Sequence, residues 1–323
     1  MRLKKIICML LCLAVCLCAV SCASGAESDE KKKIAVIVKS VDSDFWHSFQ
    51  NGVDAAAVEY NVSVTFEGAE NEEDYTAQNE LINKAVENGA DAIVLSAANY
   101  TGTVQAVENA AKRGVKIVTA DSGTNSDKVS LFIGTDNYKA GEEAARAAVA
   151  GFSEGEKIKI GLVNLAVGTD NGTQREKGFR DYIDKVPSAA VTAGISADSN
   201  LESATAAAKK LMIENPDINV IVGFNEWMAL GVGYAVRQLG AADRVRTVGF
   251  DSNVVSISML ETGEMQALIV QNSFAMGYLS VKYAARLTRG EAPEAAEIYT
   301  DVATVTKENM FDGDIQKLLF SFK

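Results

Sequence analysis

The feature that most restricts the fold of this chain is a regular alternation of short apolar runs with longer amphipathic segments. The first apolar run, residues 34–38, is continuous, as in a parallel strand that is covered on both faces. Phe45, Phe49 and Val53 then recur at helical spacing, and Asp44 is placed to cap that helix. Similar strand and helix patterns follow along the chain, which predicts βαβ units and parallel sheets.

The alternation breaks once, near Thr135, and restarts at about residue 157. With 323 residues, 48% of them hydrophobic, the chain is long enough to bury two cores. It has only three prolines and no Gly/Ser-rich internal linker, which favours a stiff connection between the halves. We therefore predict an α/β protein with two lobes, each a mostly parallel sheet flanked by helices.

The N-terminal segment has the pattern of an export signal. Three basic residues precede an apolar run, residues 6–20, which is short for a membrane span but typical of a secretory signal. The sequence AVSC, ending at Cys22, resembles a bacterial lipobox. We expect residues 1–21 to be a lipoprotein signal peptide, Cys22 to carry the lipid, and residues 22–32 to form a polar tether. The alternative is an ordinary signal peptide that is cut a few residues further on.

Composition excludes several classes of site. All five cysteines lie in the first 22 residues, so the globular part cannot hold a disulfide, and a single histidine makes a transition-metal site improbable. No glycine motif for binding a dinucleotide or nucleoside triphosphate occurs. Removal of the signal peptide shifts the net charge from −12 to −15, which disfavours nucleic acid as a partner. We expect no metal and no cofactor.

One motif could suggest an enzyme, but its context does not fit. Residues 151–155 read GFSEG and match the GxSxG elbow of α/β-hydrolases. The motif follows an alanine-rich helical segment instead of a strand. His47, the only histidine, precedes Ser153, whereas that family places its histidine last. We predict no catalytic activity.

Polar residues follow five of the predicted strands. They are Lys39, Asp121, Asn225, Asp251 and Gln271. Each alone is typical of a turn or a helix cap. Because the carboxyl ends of parallel strands meet at one crevice, the five together predict a small-molecule site.

The residue types of this predicted site suit a sugar. Carboxylate, amide and ammonium groups can pair with hydroxyls that both donate and accept, and the aromatic rings of Phe45 and Trp46 can pack on sugar C–H faces. We expect a monosaccharide or a sugar-like ligand.

Five segments then carry a specific resemblance. In order, they are KIAVIVKSVDSDFW, GADAIVLS, GVKIVTAD, FNEWMALG and TVGFD. They resemble the ribose-, allose- and galactose-binding group of type I periplasmic binding proteins, which serve bacterial ABC importers, and the similarity covers residues 33–309.

The resemblance implies a domain organisation. The family fold is two Rossmann-like lobes joined by a hinge that the chain crosses three times, here near Thr135, Gln271 and Asp301. It implies an N-terminal lobe of residues 33–135 plus 272–301 and a C-terminal lobe of residues 136–271 plus 302–323.

Carried over position by position, the resemblance also implies the ligand contacts. They are Lys39, Ser43, Phe45, Trp46, Asp121, Ser122, Thr173, Asn225, Asp251 and Gln271. Ser122 and Thr173 stand where the ribose-binding members have arginines, which argues against ribose and leaves Lys39 as the candidate cation, with Arg175 as a second. Lys39 with Asp121 and Asp170 is also similar to the receptor for a furanosyl autoinducer.

The resemblance implies partners as well. We expect a monomer on the outer face of the cytoplasmic membrane, held there through its N-terminal lipid only, that delivers its ligand to an ABC permease and ATPase complex. The alternative is a sensor that presents a bound sugar or autoinducer to a receptor kinase or chemoreceptor. Repressors of the lactose type share this core, but a signal segment stands here in place of their helix-turn-helix head.

Overall fold

The computed structural model describes residues 31–165 and 168–320. The predicted signal peptide, Cys22 and most of the predicted tether lie outside the described residues. Within the described ranges, no helix has the length and apolar character that crossing a membrane requires.

The first sheet has six strands, all parallel, in the order β11-β5-β4-β3-β1-β2. The strands are β1 (Lys33–Val38), β2 (Ser63–Gly68), β3 (Ala92–Leu95), β4 (Lys116–Ala120), β5 (Leu131–Gly134) and β11 (Glu297–Tyr299). Helices α1 (Asp44–Glu59), α2 (Tyr75–Glu87), α3 (Val104–Lys112) and α9 (Ser273–Thr288) accompany it. All of β3, and all of β1 after its first residue, is buried, as the apolar runs predict.

The second sheet repeats the plan in the order β12-β10-β9-β8-β6-β7, with only β12 antiparallel. The strands are β6 (Ile158–Leu165), β7 (Ala189–Ala197), β8 (Val220–Gly223), β9 (Arg246–Phe250), β10 (Ala267–Gln271) and β12 (Val302–Val305). Its helices are α4 (Asn137–Val149), α5 (Asp170–Ile183), α6 (Leu201–Glu214), α7 (Glu226–Gln238), α8 (Val254–Thr262) and α10 (Gly313–Leu319).

Two local expectations from the sequence are wrong. The helix after β1 is capped by Ser43, whose hydroxyl accepts from the backbone N–H of Trp46, while Asp44 is the first helical residue. The sequence pattern at about residues 296–305 predicts one late strand, but the structure has two, β11 and β12, which belong to different sheets. The alternation of side chains has a period of two in every strand, so the sequence pattern does not reveal where the chain changes from one sheet to the other.

The chain passes between the two lobes at three places. It leaves the first sheet after β5, returns between β10 and α9, and passes from β11 to β12. The crossings are joined by backbone hydrogen bonds, from Thr300 N to Gly134 O (2.8 Å) and from Asn272 N to Asp301 O (3.2 Å). These short, mutually bonded crossings hold the carboxyl ends of the two sheets opposite each other.

One helix pair in each lobe packs backbone against backbone at glycines. A Cβ atom added at Gly52 of α1 would lie 2.0 Å from Phe274 O of α9, and one at Gly277 of α9 would lie 2.0 Å from Phe49 O of α1. In the second lobe, glycines of α4 and α5 make the same reciprocal approach. Only a residue without a side chain permits this separation of the helix axes.

We therefore expect Gly277→Ala to lower the free energy of unfolding by about 1–3 kcal/mol, the usual cost of overpacking. The new methyl group would meet backbone, which cannot rotate away, and the clash would outweigh the better helix propensity of alanine. Thermal unfolding measures this as a drop of several degrees.

Gly313→Ala is the matched control, because a Cβ at Gly313 meets nothing within 4 Å. A Gly277→Ala protein as stable as the control would show that α1 and α9 can separate without loss.

Candidate ligand-binding site

The carboxyl ends of the two sheets enclose a small cavity of about 360 Å³, counted with its openings to solvent. Eight of the ten residues expected from the sequence line it: Lys39, Ser43, Phe45, Trp46, Asp121, Asn225, Asp251 and Gln271. Six further residues complete the lining: Glu72, Leu165, Asn171, Arg175, Glu226 and Trp227.

A buried ion pair stands on the first-lobe side. Lys39 follows β1 and Asp121 follows β4, and the Lys39 ammonium donates to Asp121 Oδ2 at 2.9 Å with both side chains 3% exposed. Ser96, after β3, donates to the same oxygen at 3.0 Å. Burial raises the pKa of Asp121, but Lys39, Arg175 and these hydrogen bonds outweigh it, so the pKa lies below its ordinary value. Asp121 is therefore ionised.

The same carboxylate is bonded from the second lobe. Asn171 Nδ2, on α5, donates to both oxygens of Asp121 at 3.1 and 3.2 Å. Asp121 thus links the two lobes directly.

Asp121 and Asp251 occupy equivalent, strained backbone positions. Both have positive φ, 59° and 64°, a conformation that aspartate tolerates better than most residues. Each follows its strand, and its N–H bonds the next strand of its sheet, at Ile133 O and Ile269 O respectively. Such strain concentrates at functional sites, and here it turns one carboxylate from each sheet into the same cavity.

On the second-lobe side, a buried arginine forms the floor. Arg175 is 1% exposed. It donates to Asn137 Oδ1 (2.9 Å), Phe224 O (2.9 Å) and Gln271 Oε1 (2.7 Å). Its guanidinium carbon lies 4.6 Å from the ring centre of Phe250, a cation–π distance.

Gln271 extends this network to Asp251. Its amide nitrogen donates to Asp251 Oδ1 at 2.6 Å. Burial raises the pKa of Asp251 to about 6, although Arg175 and the bond from Gln271 act in the opposite direction. The two lobes thus each present an aspartate supported by a cation.

Two glutamates bridge the lobes beside the aromatic rings. Glu226, on α7, accepts from the backbone N–H of Phe45 (3.4 Å) and from Asn253 Nδ2 (2.9 Å). Burial raises its pKa to about 7.

Glu72, from the loop after β2, makes the reciprocal bridge. It accepts from Trp46 Nε1 (2.9 Å) in its own lobe and from Ser199 Oγ (2.7 Å) in the other. The Ser199 hydroxyl in turn accepts from Asn225 Nδ2 at 2.7 Å.

Three aromatic side chains from both lobes complete the wall. Phe45 and Trp46 meet edge to face with ring centres 4.9 Å apart, and Trp227 lies on the second-lobe side. Trp46 is held by its bond to Glu72. These rings give the cavity fixed apolar surfaces.

Two residues expected in the site lie elsewhere. Ser122 is fully buried outside the cavity lining, and its hydroxyl has no hydrogen-bond partner among the described residues. Thr173 is exposed on α5, where its hydroxyl donates to Thr169 O at 2.7 Å. Because Thr173 lies two residues from Arg175, it projects from nearly the opposite side of the helix.

Most of the residues that the sequence did not single out lie on helices. Asn171 was not expected; it lies four residues before Arg175, the second candidate cation, and shares its face of α5, a spacing that could have revealed it. Glu226 and Trp227 directly follow Asn225 in the first turn of α7. Asp170 lies outside this cavity, and His47 is exposed. Within the described ranges, no three His, Cys, Asp or Glu residues are grouped as a metal site would need.

Two α/β lobes with the same plan, joined by short crossings around a polar and aromatic cavity, define a two-lobed ligand-binding protein. The comparison with known families makes this specific. The profile of the periplasmic binding protein domain matches residues 34–292, and the chain belongs to that family.

Relatives with known ligands agree with this assignment. The D-ribose/D-allose-binding protein of Pseudomonas aeruginosa is 27% identical over 277 residues, which are 83% of this chain and 86% of that protein. A carbohydrate transporter solute-binding protein of Agrobacterium radiobacter, solved with D-arabinose, has a TM-score of 0.86 and 31% identity, covering 90% of this chain and 99% of that chain. An ABC transporter solute-binding protein of Agrobacterium vitis with bound D-fucose has a TM-score of 0.85 and 32% identity, covering 89% of this chain and 100% of that chain. The predicted family and fold class are confirmed.

The raised pKa of Glu226 predicts a dependence of stability on pH. Between pH 4.5 and about 7 the unfolded chain loses the proton of this group while the folded protein keeps it. The contribution of Glu226 to the free energy of unfolding is therefore present at acid pH and is lost as pH rises through about 7. The loss amounts to about 3 kcal/mol. We expect the stability of Glu226→Gln relative to the wild type to increase by that amount over this range.

Urea unfolding of both proteins at the two ends of the range measures the difference. A constant difference between the two proteins would contradict this ionisation behaviour.

Proposed function

We propose that this protein captures a monosaccharide or sugar-like molecule between its lobes and delivers it to an ABC importer. The observation that carries the proposal is the cavity itself, in which paired carboxylates, amides and cations from both lobes surround aromatic rings. Solved relatives of the same fold bind D-arabinose and D-fucose.

The groups in the cavity are suited to discriminate between sugars. Asp121 and Asp251 can accept from hydroxyls, Lys39 and Asn225 can donate to them, and Phe45 offers a ring to a C–H face. A sugar with a hydroxyl in the wrong orientation would leave a buried partner unpaired, at a cost of about 1–3 kcal/mol. Epimers would thereby be distinguished.

Lobe closure would couple binding to delivery. The ligand would contact both lobes only when they are together, so it would favour the closed form in proportion to those added contacts. The interlobe bonds of Asp121, Glu72 and Glu226 support this proposal, because they join groups of the two lobes. The closed form would then be the one that the permease recognises.

Membership of a periplasmic family indicates an exported protein. Our proposal adds that lipid on Cys22 is the only attachment to the outer face of the membrane and that the protein acts as a monomer. It also adds that the boundaries between the two lobes fall near Thr135, Gln271 and Asp301, where the chain crosses from one lobe to the other. The proposed role is binding and delivery, without a catalytic step.

Thermal shift of the protein from Ser24 onward tests the proposal against pentoses, hexoses, deoxy sugars, inositols and the furanosyl autoinducer. A ligand at about a hundred times its dissociation constant should add roughly 2.7 kcal/mol, a rise of several degrees. A response to one sugar or a few related ones is the expected result. No response to any member of this panel, nor to amino sugars tested beside it, would refute the sugar-binding function.

The responding sugar then allows the pocket to be tested by titration calorimetry. Trp46→Ala removes a ring that is fixed by Glu72, and Asp251→Ala removes a buried acceptor, so each should weaken binding at least tenfold. Thr173→Ala, outside the cavity, is the control and should bind as the wild type does. Wild-type affinity in both cavity variants would show that the ligand binds elsewhere.

A further inference from the structure

The carboxylates that line the interlobe cavity outnumber its cations. Of the residues that the structure describes, four carboxylates line it, Glu72, Asp121, Glu226 and Asp251, against two cations, Lys39 and Arg175. An ionised carboxylate in a confined space is costly unless a cation accompanies it or it takes up a proton, so it matters which carboxylates the two cations already balance.

Both cations are engaged with the aspartates. The ammonium of Lys39 donates directly to Asp121. The guanidinium of Arg175 reaches Asp251 through the side chain of Gln271, which accepts from one and donates to the other. The charge of Arg175 also acts on Asp121 and Glu72, so two cations are shared among the carboxylates of the cavity.

Among the described residues, the two glutamates accept hydrogen bonds only from neutral groups. Glu226 accepts from the backbone N–H of Phe45 and the amide of Asn253, and Glu72 accepts from the indole of Trp46 and the hydroxyl of Ser199. The side chains that line the cavity thus contain two carboxylates beyond those that its cations balance.

Both glutamates contact the aromatic pair of Phe45 and Trp46, which defines the aromatic end of the cavity. Glu226 bonds the backbone of Phe45, and Glu72 bonds the ring of the adjacent Trp46. On the second-lobe side, Ser199 donates to Glu72 and accepts from Asn225, the residue that directly precedes Glu226. An ammonium group is attracted both to carboxylates and to the faces of such rings.

We propose that the ligand carries a protonated amine that lies at this aromatic end, so that its chemical class is the amino sugars and aminocyclitols. The inference rests on the proposed function and narrows it. The amine would supply the countercharge that the described lining of the cavity lacks, while the hydroxyls would meet the two aspartates as for a neutral sugar.

A merely structural role for the glutamates makes a different prediction. If Glu72 and Glu226 only latch the lobes together, then they stabilise the closed form around any ligand, charged or neutral. The informative quantity is therefore the ratio of affinities for an amine and its neutral counterpart.

Titration calorimetry with matched pairs measures this ratio, using glucosamine with glucose, galactosamine with galactose, and mannosamine with mannose. We expect at least one hexosamine to bind at least tenfold more tightly than its hexose. If hexoses bind and no hexosamine binds more tightly, the amine inference is wrong while the proposed function stands. If neither those pairs nor the wider neutral panel binds, both are wrong.

Variants assign the effect to the two glutamates. Glu226→Gln and Glu72→Gln should each lower the ratio of amine to neutral affinity by about tenfold, since they remove charge and keep shape. Glu73→Gln is the matched control, because Glu73 stands in the same loop and accepts from the backbone N–H of Ser199, yet does not line the cavity. It should leave the ratio unchanged. An equal loss of both affinities in all three variants would establish the latch and overturn the inference.

Discussion

The opposition of two parallel sheets, with their carboxyl ends facing each other, is the constraint on which the rest of this structure depends. Every strand of a parallel sheet delivers the residue after it to the same edge, so two opposed edges concentrate functional groups in the space between them. The three crossings, bonded to one another through Gly134 and Asp301, keep that opposition. Asp121 and Asp251 have the same strained backbone conformation, one in each lobe, and each directs a carboxylate into this space.

The polar side chains of the cavity are held in place by hydrogen bonds to other protein groups. Asp121 accepts hydrogen bonds from Lys39, Ser96 and Asn171. Arg175 donates hydrogen bonds to Asn137, Phe224 and Gln271. Groups held in this way lose little conformational freedom on binding, which preserves more of each contact as affinity. The same partners offset the cost of burying charge, which is large for an unpaired group.

The sequence predicts the strand ends well and the helix-borne part of the site poorly, for a physical reason. An apolar run has a defined end, so Lys39, Asp121, Asn225, Asp251 and Gln271 could be placed in the crevice from pattern alone. A helix presents a face, and the error of two residues between Thr173 and Arg175 turns a side chain from the cavity to solvent. Glu72 comes from a loop, whose path no periodicity specifies.

The polar character of the bonds between the lobes has a consequence for their separation. Carboxylates, hydroxyls and amides such as those of Glu72, Ser199 and Asn171 exchange one partner for water when an interface parts, so each bond to a charged group contributes only about 1.5–3 kcal/mol net. An interface of this kind opens without exposing a large apolar surface. Reversibility is thus built into the contact itself, and the protein can pass through many cycles of uptake and discharge without either lobe unfolding.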